Sequence, residues 1–303
     1  MAEKRTGFIG LGAMGAGMAT NLVKAGFPVT GYDIRPEAVE TLKGLGGNGA
    51  VSPAEAAEGA DILFVMVATA DQAEAVLFGD SGAVTQLPAG AIVILTATVP
   101  PDYAKNLAGR LKDGGHRMLD APVSGGTVGA EGGNLTIMAS GAPDVFDDAD
   151  AALRAIAGKV YRLGDEPGIG STVKMVNQLL AGVHIAAAAE AMALGTRAGA
   201  DPRTLYEVIS NSAGNSWMFT NRVPHMLDGD YTPLSAVEIF VKDLGIVLDT
   251  GRGLRFPLPI AGASHQMFLA AAAAGHGRED DSAVVKVYEQ LADISVTTPH
   301  KED

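Results

Sequence analysis

The chain has 303 residues, of which 47% are hydrophobic and 19% charged, so it is long and apolar enough for two well-packed domains. Its formal net charge of −13 and the lack of any basic run argue against a nucleic-acid partner. Since there is no cysteine, a disulfide scaffold, a thiolate metal site and a cysteine nucleophile are excluded, and we predict no metal site.

Short runs rich in β-branched residues alternate with helical patterns from Thr6 to about Leu163. The runs read TGFIG, PVTGYD, DILFVMV, AIVILT, HRMLD, LTIMAS and KVYRLG. Alternating strands and helices are typical of a mostly parallel sheet with helices on both faces. The first half is therefore predicted to be a Rossmann-like, doubly wound α/β domain.

The pattern changes after Gly164, because apolar residues then recur with helical spacing and no run is typical of a strand. Asp201 followed by Pro202 is typical of a helix start, with Asp201 as the N-cap. We predict an NAD-binding domain over residues 1–164 and an all-helical substrate and oligomerisation domain over residues 165–303.

Two features bear on the location of the protein. The segment MAEKRTGFIGLGAMG passes from a charged tail straight into a glycine motif, which leaves no room for a secretion signal and favours a cytoplasmic location. The alanine-rich stretch from Ala181 to Leu194 is interrupted by His184 and Glu190, so we expect a buried helix and no membrane span.

The motif FIGLGAMG places Gly10, Gly12 and Gly15 in G-x-G-x-x-G spacing, between a predicted strand and an amphipathic helix. Such a motif uses its first glycine for a tight turn, its second for the approach of a pyrophosphate and its third for close helix packing. Leu11 and Met14, in the same turn, are also predicted to bind the cofactor. The alternative is a glycine turn that binds no ligand.

Asp33 ends the second predicted strand at the spacing expected for the acidic residue of a dinucleotide fold. A carboxylate there accepts both ribose hydroxyls but repels a 2′-phosphate, which favours NAD over NADP. Arg35, close behind it, would weaken that preference.

Further candidates follow two other predicted strands. Ligands of doubly wound sheets lie beyond the carboxyl ends of the strands, where Val67, Ala68, Thr96 and Thr98 are expected. A threonine hydroxyl there would orient the nicotinamide or the substrate. Thr98 is equally compatible with capping the helix that begins near Pro100, and the sequence leaves both interpretations open.

The segment DAPVSGGTVGAEGG places Ser124 before Gly125, Gly126 and three further glycines. Backbone amides beside a serine hydroxyl form a suitable site for a small carboxylate. The alternative is a flexible hairpin. We favour anion binding, because a loop that only turns the chain would need fewer glycines.

Lys174 stands near the start of an otherwise apolar helical stretch, with Asn177 and Gln178 one turn later on the same face. A helix N-terminus and apolar surroundings both disfavour the charged amine, so its pKa is expected below the usual value. Hydride transfer from an alcohol needs a group that takes the hydroxyl proton. We therefore predict Lys174 as the acid/base residue, against the alternative of a lysine extending to solvent.

Two further residues of the second half have more than one possible role. Lys242, next to Asp243 in IFVKDLG, would either form a structural ion pair or reach a ligand cleft. Trp217 is the only tryptophan and is expected in the core of the helical domain.

The chain resembles the β-hydroxyacid dehydrogenase family over its whole length. Four segments carry the resemblance: GFIGLGAMGAGMATNLVKAG, DAPVSGGTVGAEGGNLTIMASG, GIGSTVKMVNQ and FVKDLG. The resemblance implies that Lys174 is the catalytic lysine and that Asn177 assists it. It also implies that Ser124, Gly125 and Gly126 hold the substrate carboxylate, and that Thr98 and Lys242 contact the cofactor.

The second half is similar to one branch of that family, which oxidises the 2-hydroxyl of a four-carbon sugar acid with NAD. The segments NSAGNSWMFTNR, DGDYTP and GREDDSAVVK carry this resemblance. The chain departs from both patterns after the lysine: the wider family has Asn-Asn, the branch has His-Gln, and this chain has Asn177–Gln178.

The sequence suggests three candidate functions. The favoured one is NAD-dependent oxidation of a small hydroxy acid; NADP is a less favoured cofactor, and 3-hydroxyisobutyrate and tartronate semialdehyde are alternative substrates. A non-catalytic dinucleotide-binding module would not need Lys174 with Asn177. A decarboxylating dehydrogenase of the 6-phosphogluconate type would need a longer helical half and a basic site for phosphate. The many small residues of the helical half predict a homodimer or homotetramer.

Overall fold

The computed structural model describes residues 4–298. The chain divides into two compact units, Met1–Lys174 and Met175–Asp303. The predicted domain limits, 1–164 and 165–303, stay a prediction.

The first unit contains a six-stranded parallel sheet with strand order β3-β2-β1-β4-β5-β6. Its strands are β1 (Thr6–Ile9), β2 (Val29–Tyr32), β3 (Asn48–Gly49), β4 (Ile62–Val65), β5 (Ile92–Leu95) and β6 (Arg117–Asp120). The order reverses between β1 and β4, and such a reversal opens a ligand-binding crevice beyond the carboxyl ends of the strands. The predicted doubly wound α/β fold is confirmed.

A second, smaller sheet follows in the same unit, with β7 antiparallel and β9 parallel to β8. Its strands are β7 (Val123–Ser124), β8 (Leu135–Ala139) and β9 (Ala157–Arg162). The segments LTIMAS and KVYRLG were expected to join the large parallel sheet, but they form β8 and β9 of this separate sheet. The short strands β3 and β7 were not predicted, because two residues leave no periodicity to detect.

The helices of the first unit cover both faces of the large sheet. They are α1 (Gly15–Lys24), α2 (Pro36–Gly44), α3 (Pro53–Ala57), α4 (Ala70–Phe78), a 3-10 turn (Ala83–Thr85), α5 (Pro101–Asp113), α6 (Gly126–Glu131) and α7 (Pro143–Ile156). Phe8 and Phe64 stack at 5.5 Å in the core on one face, and Ile9 and Val65 lie in the core on the other. Burial on both faces explains why these strands are continuous apolar runs.

The second unit contains helices joined by loops and, in its described part, no β-strand. The long helix α8 (Ile169–Arg197) begins in the first unit, and α9 (Pro202–Ser210), α10 (Trp217–Asp228), α11 (Val237–Leu254), α12 (Pro259–Ala271) and α13 (Val285–Ala292) follow, with a π-helical turn (Ala272–His276) and a 3-10 turn (Asp281–Val284) before α13. Asp201 caps α9 as predicted, since its side chain accepts the Thr204 N–H at 2.8 Å. Trp217 does not lie in the core: it is 65% exposed, so that expectation was wrong.

By length and composition alone, α8 is apolar enough to cross a membrane, and 44% of its apolar 18-residue window is buried within the protein. This is weak evidence for a span, because the core helix of a soluble protein passes the same test.

Candidate active site

The glycine loop between β1 and α1 is closed tightly against its surroundings. Gly10 has a φ of +94°, and a Cβ there would lie 2.1 Å from the Met66 carbonyl oxygen. A Cβ on Gly15 would lie 1.8 Å from the Gly10 carbonyl oxygen. Both positions therefore require glycine, for the turn and for the approach of α1 to the sheet.

Gly12 differs from its two neighbours, because a Cβ there would meet nothing nearer than the Arg35 guanidinium at 3.9 Å. Helix α1 starts after Met14 with no side-chain cap among the described residues, and its first turn contains no acidic residue. An uncapped helix N-terminus beside bare backbone is suited to the pyrophosphate of NAD or NADP. The residues present thus fit a dinucleotide.

Gly15→Ala tests this geometry. We expect it to weaken NADH binding about tenfold or more and to destabilise the fold by about 1–3 kcal/mol, because the new methyl group overlaps the Gly10 carbonyl. Titration of NADH fluorescence and urea unfolding measure the two effects. Gly44→Ala in α2 is the control, since no described heavy atom lies within 4 Å of its added Cβ. Equal NADH affinity in both variants would contradict the assignment.

Asp33 follows β2 and is turned toward the glycine loop. Its carboxylate accepts the Leu11 N–H at 2.7 Å, the Arg35 N–H at 2.9 Å and the Arg35 guanidinium Nε–H at 3.1 Å. The guanidinium also donates to the Leu11 carbonyl at 3.2 Å. Burial raises the pKa of Asp33, but the hydrogen bonds from Arg35 and Leu11 outweigh it and hold that pKa below its usual value. Asp33 is therefore ionised at neutral pH.

The predicted ligand-binding residues after β4 and β5 differ from one another in burial and in hydrogen bonding. Val67 and Ala68 follow β4, and Ala68 donates its N–H to Gln72 at 2.8 Å. Thr96 is buried and donates its hydroxyl to the Val65 carbonyl at 3.0 Å, so the expectation that it faces a ligand was wrong. Thr98 is half-buried beyond β5, and Pro100 occupies the N-cap of α5. Thr98 is therefore not the N-cap residue of α5, and among the described residues no side chain caps that helix.

The predicted substrate loop contains β7 and α6 rather than an irregular turn. Ser124 ends β7, Gly125 is the N-cap of α6 and Gly126 is its first residue. Gly125, Gly126 and Gly133 have φ values of +134°, +63° and +62°. The backbone conformation itself accounts for three of the five glycines, which weakens the argument from glycine number for an anion site.

Asp120, which sequence reasoning did not select, ends β6 and holds the start of α8. Its buried carboxylate accepts the Gly168 N–H at 2.8 Å, the Ser171 N–H at 2.8 Å and the Ser171 hydroxyl at 2.6 Å. Burial raises the pKa of Asp120, and the hydrogen bonds from Ser171 and Gly168 act in the opposite direction. Its partners lie about 50 residues later in the chain, so no local pattern reveals this role.

Lys174 lies one turn beyond Ser171 and has only 6% of its surface exposed. A lysine extending to solvent would keep its ammonium group exposed, so this burial disfavours that alternative. The anchoring of α8 by Asp120 fixes the helix turn from which Lys174 projects.

Asn177 and Gln178 belong to a polar network of the second unit. The Asn177 amide donates to Gln178 Oε1 at 3.0 Å, and the Gln178 amide donates to Asp243 Oδ2 at 2.5 Å. Lys242 Nζ lies 2.8 Å from Asp243 Oδ1. Lys242 thus makes an ion pair, and 22% of its side chain is exposed; its contact with a ligand stays a prediction.

The sheet order, the glycine loop and Asp33 define a dinucleotide-binding protein of the Rossmann class. The comparisons with known proteins narrow this class. Residues 5–164 match the family model for the NAD binding domain of 6-phosphogluconate dehydrogenase. Residues 168–288 match the model for the NAD-binding region of NADP-dependent 3-hydroxyisobutyrate dehydrogenase.

Individual proteins are similar over nearly the whole chain. An L-threonate dehydrogenase of Cupriavidus necator is 58% identical, over 94% of this chain and 96% of that protein. One of Escherichia coli K12 is 51% identical, over 95% of each. The crystal structure of a 3-hydroxyisobutyrate dehydrogenase from Salmonella typhimurium is 48% identical with a TM-score of 0.89, over 94% of this chain and all of that one.

The chain belongs to the β-hydroxyacid dehydrogenase family, as its sequence motifs predict. It is an NAD(P)-binding oxidoreductase that acts on a hydroxy acid. The fold, the reaction class and the family predicted from the sequence are confirmed.

Proposed function

We propose that this enzyme oxidises the 2-hydroxyl of L-threonate to 2-dehydro-L-erythronate with NAD. The observation that carries the substrate is the identity of 58% with an L-threonate dehydrogenase over 94% of the chain. The reaction type is supported by the buried Lys174 in a dinucleotide-binding enzyme. Because the similar Salmonella structure is described as a 3-hydroxyisobutyrate dehydrogenase, that substrate is the main alternative. Tartronate semialdehyde reduction is the other.

The proposed chemistry uses residues of this chain for binding and proton transfer. Ser124, Gly125 and Gly126 bind the substrate carboxylate through a hydroxyl and backbone amides. The neutral amine of Lys174 takes the hydroxyl proton as the carbonyl forms, and Asn177 assists through its side-chain amide. When bound, the nicotinamide supplies the acceptor for the hydride that leaves carbon 2.

Lys174 must be uncharged to accept that proton. Its burial favours the neutral amine, because removal from water disfavours an ammonium group. The same amine, once protonated, returns the proton in the reverse reaction.

A substrate series tests the proposal. Initial rates of NAD and NADP reduction are measured at saturating cofactor with L-threonate, D-threonate, D-erythronate, 3-hydroxyisobutyrate and D-glycerate. The proposal predicts the highest kcat/KM for L-threonate with NAD. A higher value for 3-hydroxyisobutyrate or glycerate would move the enzyme to another branch of the family. No turnover of any of them would favour a dinucleotide-binding module.

The preference for NAD over NADP is supported by the ionised Asp33, whose charge repels a 2′-phosphate. Leu11, Gly12 and Met14 are proposed to line the phosphates, and Val67, Ala68, Thr98 and Lys242 to contact the remainder of the cofactor. Lys242 and Thr98 have these roles through the family resemblance.

Asp33→Ser is expected to change the NAD to NADP ratio of kcat/KM about 100-fold in favour of NADP. Removing the carboxylate abolishes the repulsion and releases the Arg35 guanidinium, now bonded to Asp33 at 3.1 Å, for a 2′-phosphate. Steady-state rates with each cofactor give the ratio. Asp33→Ser with Arg35→Ala is the matched control and should lose the gain with NADP. A ratio that Asp33→Ser leaves unchanged would rule out this basis of selectivity.

We also propose that the enzyme self-associates as a dimer or tetramer through one face of α8. Val176, Leu180 and Leu194 are 50%, 49% and 69% exposed and lie on that face by helical spacing. Apolar side chains repeated along a helix are typical of a contact with another helix. Sedimentation equilibrium tests this, since a monomer at micromolar concentration would refute it. The cytoplasmic location stays a prediction from the sequence.

A further inference from the structure

The unusual pair Asn177–Gln178 lies in a hydrogen-bonded chain whose direction is fixed at one end. Asp243 lies at that end, with 2% of its surface exposed, and it pairs with the Lys242 ammonium at 2.8 Å. A carboxylate paired with a cation can only accept hydrogen bonds. Whatever group reaches the other oxygen of Asp243 must therefore be a donor.

Gln178 is that donor, and the orientation of its amide also determines which atom it presents to Asn177. Its amide NH₂ donates to Asp243 Oδ2 at 2.5 Å, which turns its Oε1 toward Asn177. If the Gln178 amide were flipped, its oxygen would face the carboxylate and two acceptors would meet without a proton. Gln178 has only 8% of its surface exposed, so solvent would not relieve that repulsion.

The orientation of the Asn177 side-chain amide follows in the same way. Because Gln178 presents an acceptor, Asn177 donates its NH₂ to it, at 3.0 Å. Within residues 4–298, the Asn177 side chain is described with this one hydrogen bond. Because its NH₂ faces Gln178, its Oδ1 lies on the other side of the amide group. The carboxylate of Asp243 thereby determines which atom of Asn177 points outward.

Close packing brings together α8 and α11, the two helices that contain these hydrogen-bonded residues. One turn beyond Gln178, a Cβ on Gly182 would lie 3.0 Å from side-chain atoms of both Phe240 and Leu244 in α11. The short Gly182 therefore allows α8 to lie close enough to α11 for Gln178 to reach Asp243.

We propose that Gln178 is a positioning residue which relays the polarity of Asp243 to Asn177, so that Asn177 presents its Oδ1 as a fixed hydrogen-bond acceptor in the reaction. This inference rests on the proposed function, in which Asn177 assists the acid/base lysine. An acceptor at this point receives a hydrogen bond from the substrate hydroxyl or from the protonated amine. With a glutamine that could rotate, part of the enzyme population would present the amide NH₂ instead.

The test combines substitution of Gln178 with substitution of Asn177. Gln178→Met keeps the length of the side chain and removes the hydrogen bonds to Asn177 and Asp243. We expect it to lower kcat about tenfold or more, with the KM for the hydroxy acid and the Kd for NADH each within about threefold of wild type. Gln290→Met, at an exposed position of α13, is the control and should leave kcat unchanged.

The decisive comparison is made in the Asn177→Ala background. If Gln178 acts through Asn177, Gln178→Met lowers kcat less than about twofold further once Asn177 is absent. A merely structural role would give the same loss in both backgrounds, and that result would overturn the proposal, as would an unchanged kcat in Gln178→Met itself. Gln178→Leu is made in parallel, so that the conclusion does not depend on the folding of one variant.

A second measurement needs no turnover and separates this proposal from the proposed function. In ¹⁵N-labelled protein, the side-chain amide signal of Asn177 is assigned by its loss in Asn177→Ala, and its hydrogen exchange is measured. We expect slow exchange in wild type and fast exchange in Gln178→Met. Equal exchange in both would overturn the relay even in an active enzyme. Slow exchange in an enzyme that oxidises no hydroxy acid would support the relay and refute the proposed function.

Discussion

Lys174→Ala is expected to lower kcat about 10²–10⁴-fold while the Kd for NADH stays near the wild-type value, because the amine moves a proton and leaves the dinucleotide loop untouched. Lys174 is 6% exposed and belongs to α8, whereas the glycine loop precedes α1, so the substitution leaves the residues of that loop unchanged. Stopped-flow or steady-state kinetics measure kcat, and titration of NADH fluorescence measures the Kd.

The control for Lys174→Ala is Lys112→Ala, which removes an exposed lysine of α5 and should leave kcat unchanged. Lys174→Arg keeps a cation but cannot become a neutral base at neutral pH, so it should be as inactive as the alanine variant. Turnover of Lys174→Ala within about tenfold of wild type would show that another group moves the proton.

Arg222→Met is expected to cost about 3–5 kcal/mol of unfolding free energy, because it leaves a buried carboxylate without its cation. Arg222 Nε donates to Asp281 Oδ1 at 2.6 Å and Arg222 Nη2 donates to Asp281 Oδ2 at 3.1 Å. The side chains are 9% and 0% exposed. Urea unfolding of the holoenzyme, followed by circular dichroism, measures the loss.

The matched control for this pair is Arg252→Met. Arg252 and Asp249 also form an ion pair, at 3.2 Å, but their side chains are 81% and 72% exposed. Solvent screens such a pair, so its loss should cost less than about 1 kcal/mol. Similar losses in Arg222→Met and Arg252→Met would contradict the argument from burial.

The features that the sequence predicts well are those encoded by neighbouring residues. The central strands β4 and β5 of the large sheet are apolar runs, since burial on both faces leaves no polar alternation. Gly10 and Gly15 are recognisable because the turn between β1 and α1 excludes any side chain at both positions. Asp33 follows from its fixed place at the end of β2.

What the sequence does not predict depends on contacts between distant segments. Asp120 contacts Ser171, 51 positions later, and Gln178 contacts Asp243, 65 positions later. No periodicity or motif reveals either contact, because each depends on how helices and strands pack in three dimensions. The expected burial of Trp217 was wrong for a related reason. An aromatic side chain is usually buried, but Trp217, at the start of α10, lies at the surface.

The most direct measurement uses L-threonate that carries deuterium at carbon 2, with NAD and the wild-type enzyme, and determines by mass spectrometry where the deuterium goes. Oxidation of the 2-hydroxyl predicts one deuterium in each molecule of reduced NAD and none left at carbon 2 of the product. Reduced NAD without deuterium would show that another carbon is oxidised, and the proposed reaction would then be wrong.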